Sequence, residues 1–135
     1  MDLSIKSETF GADDPSWLAS RDGLGSLRSI TLDLSAFTKN THYPEGFLKS
    51  GLPLARRTAD GLYVPYNTGG TGGADVLDGH LFGHITVPAT LPTPAKFGAA
   101  LFWRGVVDAR WLPAEVDAAG RTDVAGRIRY ENVGS

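Results

Sequence analysis

Residues 29–35 read Ser-Ile-Thr-Leu-Asp-Leu-Ser. Ile30, Leu32 and Leu34 fall on one side of an extended chain and Thr31 and Asp33 on the other, so this stretch predicts a strand with one buried face. Similar text recurs downstream and sets the fold class. Residues 54–57 and 61–66 flank Ala59-Asp60-Gly61. Asp-Gly between apolar runs predicts a hairpin closed by a type I′ turn, whose two central residues need positive φ. Residues 80–87 (HLFGHITV) predict one strand, with Leu81, Gly83, Ile85 and Val87 alternating against Phe82, His84 and Thr86 until Pro88 ends it. Residues 97–108 (FGAALFWRGVVD) are apolar on both faces except at Arg104, the pattern of a central strand covered on both sides. Residues 124–130 predict a closing strand.

Between these runs the text is punctuated. Asn40, Pro44, Gly46, Gly51 and Pro53 break residues 36–53 into loop with short extended pieces. Residues 67–74 (NTGGTGGA) predict a flexible loop, and Pro92 and Pro94 stiffen the connector after residue 88. The best helix is at residues 113–119 (PAEVDAA), with Pro113 at the first position, Glu115 in the first turn and Gly120 as the stop. No window shows an apolar stripe over three helical turns. The expected body is therefore mainly β, a small antiparallel or mixed β-barrel or sandwich with one short helix.

Residues 1–28 differ from this body. Asp, Ser, Gly and Pro run throughout, and Phe10, Trp17, Leu18, Leu24 and Leu27 fit neither a helical nor a strand period. We divide the chain into an extended N-terminal arm, 1–28, and a β-rich domain, 29–135. Deleting residues 1–27 is expected to leave a folded body. Such an arm suits docking onto something large, because its unpaired backbone groups can complete a neighbouring sheet edge.

Composition narrows the function classes. The formal charge is −2, so bulk electrostatics does not draw the chain to nucleic acid. No apolar run is long enough to span a membrane, and no signal peptide is visible. The absence of cysteine removes disulfides, thiolate catalysis and Cys-ligated metals. Glycine, 17 of 135 residues, is well above the usual share of about 7%, consistent with many turns and short strands.

The search for chemistry returns weak candidates. Asp75, Asp78, His80 and His84 carry metal-ligating groups. Yet His80 and His84 on one strand would lie roughly 13 Å apart at about 3.3 Å per residue, too far for one ion. Residues 69–73 (GGTGG) lack the Lys and the following helix of a phosphate loop and predict a surface loop. Ser50 with His42 or His80 has no nucleophile-elbow context. Asp13-Asp14 sits in turn-like text, where Asp caps amides. Arg56, Arg57, Arg104, Arg110, Arg127 and Arg129 are spread along the chain and offset by acids, unlike a nucleic-acid surface. Phe102, Trp103 and Trp111 are expected in the core. The expectation is of no enzyme, no cofactor and no metal site.

The arm, at Ser7-Glu8-Thr9-Phe10 followed by Asp14-Pro15, resembles the N-terminal arm of the lambdoid phage head decoration proteins. The body is similar to decoration proteins of phages of actinobacteria. The matching text includes Thr31-Leu32-Asp33-Leu34-Ser35-Ala36-Phe37, His42-Tyr43-Pro44, Ser50-Gly51-Leu52-Pro53-Leu54 and Gly61-Leu62-Tyr63. It continues at Leu81-Phe82, Gly98-Ala99-Ala100-Leu101, Gly105-Val106-Val107 and Asp123-Val124-Ala125-Gly126-Arg127-Ile128.

The resemblance implies a β-tulip-like capsid cement protein on the outer surface of the virion, commonly a homotrimer at three-fold positions. Its arm would lie on the major capsid protein and add a strand to it, binding after the shell expands. It places Ser7, Glu8, Thr9, Phe10, Asp14 and Pro15 in the capsid-binding arm. To these we add Trp17 as an exposed aromatic anchor. No nucleic acid or membrane partner is expected. The alternatives are a head–tail connector or tail-tube protein, which would assemble as a ring, and a small metal-dependent β-barrel enzyme.

Overall fold

A computed structural model describes residues 17–18 and 27–133. Among the described residues nine strands run in the order β1 (Arg28–Asp33), β2 (Phe47–Leu48), β3 (Pro53–Arg56), β4 (Tyr63–Pro65), β5 (Leu77–Phe82), β6 (Ile85–Thr86), β7 (Lys96–Phe102), β8 (Gly105–Asp108) and β9 (Ile128–Glu131). The short helices α1 (Lys39–His42) and α2 (Ala118–Asp123) lie among them, and 3-10 turns follow β1 (Leu34–Ala36) and β8 (Ala109–Trp111). Five strands close a barrel in the order β1-β4-β3-β5-β7, while β2 pairs with β6 and β8 with β9.

The expected fold class is correct, in its barrel form and with mixed pairing. β1 runs antiparallel to β7 from Arg28↔Leu101 to Asp33↔Lys96 and meets β4 in parallel at Leu32↔Tyr63. β8 and β9 are parallel. The alternation of residues 29–35 does what the period requires. Ile30, Leu32 and Leu34 are buried in the barrel core with Phe37, Leu54, Leu81 and Leu101. Asp33 then ends β1 by accepting a hydrogen bond from the amide of Ser35, and Asp108 ends β8 in the same way through Arg110.

A second core lies beneath β8 and β9. It contains Trp17, Leu77, Phe102, Val107, Val116, Val124 and Ile128. The wall shared by the two cores is β5 paired with β7. On it, Leu81 and Leu101 face the barrel while His80 and Phe102 face away, and all four are fully buried. Gly79 permits the close packing of this wall. A Cβ there would lie 2.5 Å from the Phe102 carbonyl oxygen.

Several expected boundaries move. The run at residues 97–108 is two strands, not one, because the chain turns at Trp103-Arg104 and Gly105 takes φ +134°. Within β7 only Leu101 and Phe102 are buried, and the start of the strand is exposed or half-buried. The strand expected at residues 80–87 also divides, at Gly83 with φ +94°, so that Ile85 and Thr86 pair with β2 instead. The β3–β4 turn is wider than a two-residue type I′ turn. Arg57 pairs with Leu62, and Gly61 has positive φ while Asp60 does not.

The helix expected at residues 113–119 begins instead at Ala118. Asp117 accepts a hydrogen bond from the amide of Gly120 and caps it, and Val116 is drawn into the second core. Gly120 therefore lies inside α2, close against Val116 and Tyr66, rather than after its end. The last strand starts at Ile128, since Val124 is the C-cap of α2. α1 falls in text read as loop. Within the segment read as arm, β1 begins at Arg28, Trp17 lies in the second core, and Leu18 and Leu27 pack against it.

Leu32 is fully buried between Tyr63 of β4 and Phe97 of β7. Leu32→Ala is expected to lower unfolding free energy by about 2–5 kcal/mol, read from the denaturant midpoint. A loss below about 1 kcal/mol would mean that barrel closure does not rest on this residue.

Candidate functional site: the seat of Trp17

Trp17 is the described residue nearest to the arm segment that carried the functional expectation. It is not the exposed anchor expected for it. Its side chain is fully buried. The ring lies edge-on to Phe102 at 5.1 Å and to Phe82 at 6.1 Å, and tilted over His80 at 5.9 Å. The indole Nε1–H donates to Ser50 Oγ at 3.2 Å, and Ser50 Oγ also accepts the Gly83 amide at 3.0 Å. Both polar atoms in this apolar place are thus satisfied. Gly51 makes room for the ring: its φ is +99°, and a Cβ would meet Trp17 Cδ1 at 2.8 Å and Pro113 Cδ at 2.9 Å. Leu18, the next residue, forms an antiparallel bridge to Val107 of β8.

His80 completes the seat. Complete burial pushes its pKa down to about 4, so it is neutral at pH 7. Its Nδ1 is 2.8 Å from the Gly51 carbonyl oxygen, which only accepts, so the proton sits on Nδ1. Nε2 therefore accepts from the Tyr130 hydroxyl at 2.6 Å. Burial raises the pKa of Tyr130, keeping that phenol a donor.

The remaining candidates are dispersed by the fold. Ser7, Glu8, Thr9, Phe10, Asp14 and Pro15 lie outside the described residues. Asp78 accepts from Tyr63 Oη at 2.5 Å and lies 3.5 Å from Arg127. Burial, then Asp78, push the Tyr63 pKa up to about 12. His84 stacks on Phe47 at 4.8 Å, and Asp75 is exposed. Among the described residues no three His, Asp or Glu side chains form a group that could hold a metal ion. Ser50 hydrogen-bonds Trp17 and Gly83, and both His80 nitrogens are engaged elsewhere. The glycine loop is a closed surface loop, with Asn67 N–H donating to the Ala74 carbonyl and Thr58 N–H to that of Gly72. No described helix is long and apolar enough to cross a membrane.

The fold also gathers what the sequence scatters. Arg28, Arg104 and Arg127 surround the Trp103 ring, at 3.9, 5.7 and 5.9 Å from its centre. Trp111 is not in the core as expected: it is 56% exposed, on the turn after β8. Sequence reasoning weighed Ser50 and His80 only as nucleophile or metal candidates, read Gly51 as a loop breaker and did not single out Tyr130, because nothing local to these residues signals a shared seat for an indole. No family model, curated protein or solved structure matches the chain.

Two outcomes follow from the seat. Trp17→Ala is expected to cost about 3–5 kcal/mol in denaturant unfolding, where a truly exposed anchor would cost almost nothing. The unfolded chain binds a proton at His80 near pH 6.5, whereas the folded chain does so only near 4. Stability should therefore be level above pH 6.5 and fall by about 3 kcal/mol towards pH 4. Burial of His42 adds loss of the same sign. A midpoint that stays level down to pH 4 contradicts this account.

Proposed function

We propose that the chain is a capsid decoration protein, binding the outer surface of a phage head through its N-terminal segment and stabilising the shell. The seat of Trp17 is the observation that carries the reading. The residues before it are fastened to a closed β-barrel body by a buried side chain, so a partner that captures them captures the body too. The resemblance of Ser7-Glu8-Thr9-Phe10 and Asp14-Pro15 to the arms of head decoration proteins supports the same reading, and the major capsid protein is then the partner.

Ordering an arm costs roughly 1–2 kcal/mol per residue, which favours modest affinity for a single copy. A homotrimer at a three-fold position presents three arms at once, and effective concentration then raises the affinity of the whole. This favours trimers over single copies on the shell.

The seat changes the truncation that tests the reading. Deletion of residues 2–15 leaves Trp17 in place and is expected to leave a cooperatively folded body while abolishing co-sedimentation with expanded heads of the phage that carries this chain. Deletion through residue 27 removes Trp17, Leu18 and Leu27 from the second core and is expected to destabilise the body itself. Normal binding by the shorter deletion would overturn the proposal. A stable hexameric ring in solution would point to a connector or tail-tube protein instead.

A further inference from the structure

We propose that the cleft beside Trp111 is a docking surface, and that its occupant is the chain's own residues 1–16, with Phe10 as the apolar side chain that enters it. The inference goes beyond the capsid reading and does not depend on it, since it concerns where these residues go in the absence of any shell.

The cleft lies between the turn after β8, the approach to α2, and the end of β9. Its volume is about 260 Å³, and Leu112, Val116, Tyr130 and Val133 are among the residues that line it. That is below the range of about 300–1,000 Å³ for small-molecule sites and suits one or two side chains. Apolar surface is concentrated here. Val133, on the wall, is 37% exposed, and Trp111, which stands between the wall residues Arg110 and Leu112 without lining the cleft itself, is 56% exposed. β9 pairs with β8 and with no other strand among the described residues, so an extended segment has backbone groups to pair with beside the cleft.

The direction of the chain identifies the occupant. Leu18 pairs antiparallel with Val107, and β8 continues to Asp108 and then Ala109, a residue of the cleft wall. A chain antiparallel to β8 therefore reaches Trp17 from the side of the cleft. Phe10, the one aromatic residue in 1–16, lies at most roughly 23 Å of extended chain before Trp17, at about 3.3 Å per residue.

Charge agrees in part. Residues 1–16 carry Lys6 against Asp2, Glu8, Asp13 and Asp14, a net −3. Arg121 on the wall donates to the Val116 carbonyl and forms no salt bridge among the described residues, although its charge already acts on the Asp117 carboxylate. Arg110 is already held by Asp108, and Glu115 is the acid on the wall.

The absence of cysteine from the chain allows a clean test in the full-length protein. Thr9→Cys places a thiol beside Phe10. It is paired in one variant with Val133→Cys and in another with Thr90→Cys, which is exposed and does not line the cleft. Under dilute oxidation, the intramolecular disulfide to position 133 is expected to form at least tenfold faster than that to position 90. Adding Phe10→Ala should remove most of that advantage. Equal rates, or an advantage insensitive to Phe10→Ala, overturn the proposal. Predominantly intermolecular disulfides overturn it in favour of a second copy as the source of the segment.

Discussion

The structure depends on one shared wall. β5 and β7 pair so closely that Gly79 has no room for a Cβ, and the residues along them serve two cores at once. Leu81 and Leu101 fill the barrel, while His80 and Phe102 look the other way. A body of this size buries too little surface for two independent cores. Sharing a wall couples them, so the second core has a floor only because the barrel has closed.

The second core explains the histidine. An imidazole on a fully buried face must be neutral and must find two partners. The Gly51 carbonyl and the Tyr130 hydroxyl supply them, from segments far apart in sequence. The same few residues seat Trp17. Gly51 clears space for the indole, and Ser50 accepts its N–H. The Ser50-Gly51 segment thus links the barrel entrance to the point where the N-terminal segment joins, and Tyr130 extends that linkage to the wall of the cleft beside Trp111.

This arrangement bears on the functional proposal. A segment that grips a large partner transmits load only if its root is firm. Burial of an aromatic side chain supplies a root that a Gly- and Ser-rich linker does not. Under that proposal the arm is the segment before Trp17, since Trp17 lies in the second core and Leu18 and Leu27 pack against it.

What the sequence by itself determined was the class of fold and its principal strand. The alternation of Ile30, Leu32 and Leu34 survives because one-sided burial needs a period of two and nothing else. The hairpin between β3 and β4 is legible for a similar reason, since turn residues and apolar flanks are local. Tertiary structure decided the rest. Gly83 and Gly105 break apolar runs that read as continuous, because each run changes sheets partway and only the neighbours reveal that. The helix moved to Asp117 because Val116 was worth more in the second core than in a helical turn. Trp17 read as an isolated anchor and Trp111 as core, and both assignments are reversed. An aromatic residue in unpatterned text carries no period, so whether it is buried depends on whether distant residues, here Ser50, Gly51, His80 and Phe102, leave a space of its shape.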